Sequence, residues 1–205
     1  MSGAELAGTV TFAISGVLAV SSSRLDWLGA VVVGVVTALG GGTIRDLLFG
    51  DTPVFWLNDL GFLLAATLGA VAAIPLAHRL ATGPVRRFDE ALQLADAAGL
   101  ALFVVLGAEV ALELSFGPAA AVVAGIITGV GGGVIRDLLA DRTPLILSGE
   151  IYATAAIAGA LVFVVLGELA VSDPLPALAG ALVVFGLRVA GIRRQWSLPR
   201  LRAAD

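Results

Sequence analysis

Hydrophobic residues occupy most of this chain in long stretches that short polar segments interrupt. A membrane-spanning helix needs about 20 mostly apolar residues. Seven stretches approach that length and predict helices at 5–20, 27–49, 60–77, 91–112, 118–140, 151–169 and 175–191. Thr52-Pro53 and Thr143-Pro144 end the second and fifth of these, because proline lacks the amide hydrogen that would continue a helix. The pattern predicts an all-α integral membrane protein with one membrane domain over 1–205.

Composition supports this class and excludes several others. The chain is 59% hydrophobic and 14% charged, whereas a soluble domain is about 45–50% apolar and about 25% charged. It has no cysteine and one histidine, His78, so a metal site with fixed coordination is not expected, and neither is a cofactor. No nucleophile–base set is visible, so we do not expect an enzyme. The net charge of −4 gives no reason to expect nucleic acid as a partner.

The arginines predict the topology. The chain has 12 arginines and no lysine. With the N-terminus outside, the inner segments hold Arg24, Arg79, Arg86, Arg87, Arg142, Arg188, Arg193, Arg194, Arg200 and Arg202. Inner loops of membrane proteins are enriched in arginine and lysine, so we expect a cell (inner) membrane protein with its C-terminus in the cytoplasm. The basic tail over 192–205 serves this topology, or alternatively contacts anionic lipid.

An internal repeat organises the chain. The segment Gly40-Gly41-Gly42-Thr43-Ile44-Arg45-Asp46 returns 91 residues later as Gly131-Gly132-Gly133-Val134-Ile135-Arg136-Asp137. At this offset, 21 of 70 positions from Glu5 onward are identical, and Glu5 falls on Asp96. Three predicted helices lie in each repeat, at 5–78 and 91–169, so the second repeat enters the membrane from the opposite side. We therefore predict an inverted 3+3 repeat plus a seventh helix at 175–191, an arrangement typical of transporters with a site near the midplane.

The glycine triplets allow two interpretations. They open the helix to line a cavity, because irregular backbone at membrane depth is tolerated along cavities; or they allow two helices to pack closely. Hydroxyl side chains nearby are also candidates for a cavity wall, although such groups often bond to their own helix backbone. The candidate ion-path residues are Gly40, Gly41, Gly42, Gly131, Gly132, Gly133, Thr37, Thr128, Ser15, Asp46 and Asp137.

The charged residues within the spans predict ion pairs. Arg45 lies 18 residues after Trp27, or about 27 Å along a helix, so it lies toward the outer side near Glu5. The same reasoning places Arg136 and Asp96 toward the inner side. We predict the pairs Glu5–Arg45 and Asp96–Arg136 as braces. Neighbouring arginine and aspartate point about 100° apart on a helix and are not expected to pair with each other.

The aspartates of the repeated motif have two possible roles. Asp46 and Asp137 either take part in ion pairs that lock the helices, or flank the two ends of a cation path. A buried ion pair alone does not distinguish these roles.

Two Gly-Gly-Gly-x-Ile-Arg-Asp-Leu-Leu segments, each followed by Thr-Pro in a 3+3+1 helix pattern, resemble the prokaryotic trimeric intracellular cation (TRIC) channel family. The segments Phe12-Ala13-Ile14-Ser15-Gly16 and Ala95-Asp96-Ala97-Ala98-Gly99 are also similar to that family. The resemblance covers nearly the whole chain, from about Glu5 to Gly191. Animal members carry Lys-Glu-Val where this chain has Arg-Asp, so it does not extend to their phosphoinositide site.

The resemblance implies a homotrimer in membrane lipid, with a separate pore in each protomer lined by the kinked second and fifth spans. It implies passive conduction of monovalent cations, chiefly potassium with some sodium, bound only transiently. Some bacterial relatives are thought to move glycine. A glycine transporter that uses the inverted repeats for alternating access is therefore the alternative function.

Overall fold

The computed structural model describes residues 2–21, 23, 25–81, 85–148 and 151–197, without the side chains of 81 and 85–88. These residues form eight α-helices: α1 Gly3–Val20, α2 Trp27–Phe49, α3 Phe55–Asn58, α4 Gly61–Ala81, α5 Val85–Glu113, α6 Pro118–Leu139, α7 Ala153–Glu168 and α8 Leu175–Arg194. A 3₁₀ turn covers Leu145–Leu147. The predicted inner arginines Arg24, Arg200 and Arg202, and the side chains of Arg86 and Arg87, lie outside the described residues.

Local sequence signals set several helix ends. Ser2 and Glu5 form a capping box at the start of α1, in which each side chain bonds to the backbone N–H of the other residue. Asp26 begins α2 by accepting a hydrogen bond from the N–H of Gly29 at 2.7 Å. Gly50 ends α2 at φ 73°, a left-handed conformation that glycine adopts without strain.

The predicted spans correspond to seven of the eight helices. Among the described residues, six helices are long and apolar enough to cross a membrane: α1, α2, α4, α5, α6 and α8. The predicted sixth span is the shorter apolar helix α7, whose 16 residues extend about 24 Å, against about 30 Å of hydrocarbon. The sequence did not predict α3, the four-residue helix after Thr52-Pro53. The fold is therefore an all-α membrane fold.

The helices pack into two groups joined through the middle of the molecule. One group places α1 against α2 and α4, and the other places α5 against α6, α7 and α8. The contacts α1–α5 and α2–α6 join the groups. Buried apolar side chains form one core cluster around α1, α2 and α4, and two clusters around α5 to α8. The joining contacts bring the two glycine triplets and their neighbouring charges together at the centre.

Small residues allow equivalent close contacts in both groups. An added methyl at Gly34 would lie 2.9 Å from the carbonyl oxygen of Ala13, and one at Gly125 would overlap the carbonyl oxygen of Val104. These positions match at the 91-residue offset of the repeat. Because backbone atoms cannot move aside as a side chain does, α1–α2 and α5–α6 are both fixed at short distance.

Candidate functional site

The two glycine triplets pack against each other where α2 crosses α6. A methyl added at Gly131 would lie 3.1 Å from the Cα atom of Gly41. A methyl at Gly41 would overlap the carbonyl oxygen of Thr128, and one at Gly132 would overlap that of Thr37. Both helices continue through the triplets, so the predicted helix break is not present. The alternative of close helix packing describes this crossing.

The first motif arginine pairs with the aspartate beside it. Arg45 donates from Nε and Nη2 to Oδ1 of Asp46 at 2.8 and 2.5 Å. The other oxygen of Asp46 accepts the N–H of Phe55 at 2.8 Å, and the Arg45 guanidinium lies 5.7 Å from the Phe55 ring centre. The expectation that neighbouring motif residues do not pair is wrong, because the long arginine side chain folds back across their angular separation.

The second motif repeats this arrangement. Arg136 donates from Nε to Oδ1 of Asp137 at 2.8 Å, and Oδ2 of Asp137 accepts the N–H of Leu145 at 2.9 Å. Each aspartate therefore bonds both to its neighbouring arginine and to a backbone N–H just after the Thr-Pro dipeptide that follows its helix. This contact fixes the turn after α2 and the turn after α6 in the same way.

The predicted pairs differ in outcome. Arg136 Nη1 lies 2.6 Å from Oδ1 of Asp96, so this predicted pair is confirmed. The same nitrogen donates to Oγ of Ser15 at 2.6 Å. Among the ion pairs of the described residues, Arg45 pairs with Asp46 and not with Glu5. Glu5 is engaged instead in the capping box at the start of α1.

A second arginine reaches the same buried carboxylate. Arg188 of α8 places Nη2 3.9 Å from Oδ2 of Asp96, and its guanidinium lies 4.7 Å from the ring centre of Tyr152. The hydroxyl of Tyr152 donates to Oδ1 of Asp96 at 3.2 Å. We call this set the arginine network: Asp96, Arg136, Asp137, Tyr152 and Arg188. In their ordinary ionisation states its members carry two positive and two negative charges, and none is more than 3% exposed.

The arginine pattern predicts Arg188 among the inner basic segments, but the structure places it within α8 and buries it against α5 and Tyr152. An arginine three residues before the end of a predicted apolar span was the available signal. Tyr152 carried no comparable signal, because its repeat partner at the 91-residue offset is Gly61.

A cavity of about 410 Å³ opens at the end of the bundle where α1 begins. We call it the acidic cavity; its lining includes the carboxylates of Glu5, Asp51, Glu109 and Glu113. One cation, Arg45, also lines it. Gly42 and Thr128 extend the lining to the glycine triplet of α2 and to the turn before that of α6. Its charge favours a cation over an anion.

The candidate hydroxyls bond mainly within their own helices. Thr37 donates to the carbonyl oxygen of Val33 at 2.7 Å, and Thr128 to that of Ala124 at 2.6 Å. Ser15 accepts from Arg136 and is buried. Asp46 and Asp137 are likewise buried and do not line the acidic cavity. Of the candidate ion-path residues, Thr128 and Gly42 line the cavity.

Comparison with known proteins identifies the family. A family model described as "Glycine transporter" matches the chain twice, over residues 3–78 and 93–168. The inner membrane protein YadS of Escherichia coli is 44% identical over 197 residues, covering 95% of this chain and 93% of YadS. The TRIC channel orthologue from Rhodobacter sphaeroides is 40% identical, with a TM-score of 0.87 over 94% of this chain and 97% of that one. The chain belongs to the prokaryotic TRIC family. A further structure of a TRIC cation channel is 36% identical, with a TM-score of 0.85 over 98% of this chain and 97% of that one.

Membership of the TRIC family confirms the resemblance read from the doubled glycine motif. The relatives of this chain also include the inner membrane protein YadS. Both halves of this TRIC chain match the same family model at nearly the offset found within the sequence. The glycine crossing and the two Arg-Asp contacts of this chain therefore lie in the region that the family model matches.

Proposed function

We propose that this chain is a monovalent cation channel, mainly for potassium and with some sodium permeation, that conducts through a pore in each protomer of a homotrimer. The solved TRIC relatives are described as cation channels and as a trimeric cation channel orthologue, and they match nearly the full chain. No enzymatic step is part of the proposal. The chain would act in the cell (inner) membrane with its N-terminus outside and its C-terminus in the cytoplasm.

The acidic cavity is the observation that carries the proposal. Four acidic residues and one arginine line it, and the lining extends from the end of the bundle to Gly42 and Thr128. A cleft lined mostly by one sign of charge raises the local concentration of the opposite ion. Weak, partly hydrated contacts suit conduction, because an ion must be able to leave each position.

The proposed architecture is an inverted 3+3 repeat with α8 as the additional helix. The double match of one family model supports the repeat boundaries 5–78 and 91–169. Equivalent glycine contacts at Gly34 and Gly125 support it independently. In this arrangement α7 is the sixth span of the repeat pair, and the tail over 192–205 follows α8.

The proposed pore follows α2 and α6 past their crossing. Thr128 and the acidic cavity form its entrance, and the two triplets, which are in contact in the described conformation, border its centre. The two Arg-Asp contacts and the Asp96–Arg136 pair brace the surrounding helices in the conformation described. The roles of Asp46 and Asp137 at the ends of the ion path stay predictions.

Reconstitution in liposomes tests the proposal. We expect purified protein to give potassium-driven flux and single-channel currents, with cations favoured strongly over chloride. Radiolabelled glycine uptake is measured in the same preparation, because the family model carries the description of a glycine transporter. Protein-free liposomes are the control. Saturable glycine exchange without cation current would overturn the channel and support the carrier.

A further inference from the structure

Two phenylalanines at repeat-equivalent positions meet at the centre of the molecule. Phe12 of α1 and Phe103 of α5 are 91 residues apart, and their ring centres lie 5.2 Å apart at an interplanar angle of 38°. Phe12 is 1% exposed and Phe103 is 6% exposed. The pair lies at the contact between α1 and α5, one of the two contacts that join the helix groups.

Glycines shape the space that holds both rings. A methyl added at Gly99 would overlap the ring of Phe12, and one at Gly132 would lie 3.3 Å from it. A methyl at Gly8 would lie 3.3 Å from the ring of Phe103. Gly132 belongs to the triplet of α6, so the Phe12 ring packs directly against the crossing of α2 and α6.

The pair lies between the acidic cavity and the arginine network. Phe103 itself lines the acidic cavity. One turn after Phe12, Ser15 accepts a hydrogen bond from Arg136 of the arginine network. One turn before Gly99, which contacts the Phe12 ring, Asp96 bonds to the same arginine. Each of α1 and α5, followed away from the acidic cavity, therefore presents first a carboxylate of the cavity, then a phenylalanine, and then a partner of Arg136.

We propose that Phe12 and Phe103 form a dry apolar barrier that closes the cation path between the acidic cavity and the arginine network. A hydrophobic constriction excludes water, and this loss of water stops hydrated ions from passing. The carbon atoms of two aromatic rings supply no oxygen to replace the hydration shell of a cation. This inference rests on the proposed channel function and adds the element that keeps the described conformation closed.

The barrier is tested by shortening one ring at a time. Phe103→Ala and Phe12→Ala are expected to raise the basal cation flux of proteoliposomes at least about tenfold over that of the unchanged protein. Phe163→Ala is the matched control. Phe163 is 8% exposed and packs in a core cluster away from the acidic cavity, so its removal makes a similar void without affecting the barrier. Its flux should stay within about twofold of the unchanged protein.

Folding is checked by thermal unfolding in detergent, and Phe103→Tyr provides a variant that keeps the ring volume. Its hydroxyl brings a hydrogen-bonding group to the barrier, so flux should again rise several-fold, whereas Phe163→Tyr should not raise it. Folded Phe103→Ala and Phe103→Tyr proteins that conduct like the unchanged channel would overturn the barrier alone. Absence of cation current in the unchanged protein and in every folded variant would overturn the channel function itself.

Discussion

Asp96 is the carboxylate on which two buried arginines converge. Its Oδ1 lies 2.6 Å from Nη1 of Arg136, and its Oδ2 lies 3.9 Å from Nη2 of Arg188. Asp96 is fully buried, and the arginines are 0% and 1% exposed. Asp96→Asn keeps the size of the side chain and removes its charge. In this variant, Asp137 is the one carboxylate of the arginine network left to balance the charges of Arg136 and Arg188.

The magnitude follows from these distances and from burial. Two unit charges about 4 Å apart interact by about 4 kcal/mol at an effective dielectric constant near 20. Removing one partner of a buried pair destabilises proteins by about 3–5 kcal/mol, because the other charge stays buried. We therefore expect Asp96→Asn to lower the free energy of unfolding by about 4 kcal/mol. For a chain of this size that is a fall in Tm on the order of 10 °C.

A double variant separates charge balance from the loss of one contact. Adding Arg188→Gln to Asp96→Asn removes the second cation and should recover about 2 kcal/mol relative to Asp96→Asn, since like charges no longer face each other. Glu109→Gln is the control on the same helix: that side chain is exposed, so its change should be within about 0.5 kcal/mol. The assay is thermal or denaturant unfolding of the four proteins in one detergent. A double variant less stable than Asp96→Asn would refute the charge-balance reasoning.

Two further predictions concern the crossing of α2 with α6 and the acidic cavity. Gly41→Ala should destabilise the fold by about 2 kcal/mol, because an overpacking penalty of about 3 kcal/mol outweighs a helix-propensity gain of about 1 kcal/mol. Gly186→Ala, whose added methyl meets no atom within 4 Å, should be neutral or stabilising in the same unfolding assay, and equal effects would contradict the steric argument. Replacing Glu109 and Glu113 by glutamine should lower cation current about twofold in dilute salt and have little effect at 1 M, where the screening length is about 3 Å. Glu168→Gln, a change outside the cavity lining, is the control; an equal loss at both salt concentrations would count against electrostatic attraction.

The hydrophobic pattern was sufficient for most of the fold. Apolar stretches between polar segments located the long helices, because the length of a span is set by the thickness of the membrane. The repeat located the Asp96–Arg136 pair by matching Glu5 to Asp96. A sequence offset carries this information because equivalent residues of duplicated units occupy equivalent positions in each unit.

The predicted Glu5–Arg45 pair is wrong, and the reason is local. Ser2 and Glu5, three residues apart, form a capping box that engages the Glu5 carboxylate. Arg45 instead turns back to Asp46 at a distance that side-chain flexibility allows. Spacing along a helix gives the direction of Cβ, but the path of a long arginine side chain is decided by tertiary neighbours. The Phe55 ring beside Arg45 is one such neighbour.

The two proposed repeats differ because α8 packs on the second of them, against α5 and α7. Ser15 bonds to Arg136, while its repeat partner Leu106 lines the acidic cavity next to Arg45. Arg188 of α8 lies beside Asp96 of α5, with Nη2 3.9 Å from Oδ2. The buried charges at the Asp96 end are balanced by a helix that has no partner in the repeat, and the opposite end keeps an open cavity lined by carboxylates. A duplicated unit with equivalent backbone contacts thus has an open acidic end and an opposite end filled by paired charges. Arg188 of α8, a helix outside the repeat, therefore accounts for the additional buried cation beside Asp96.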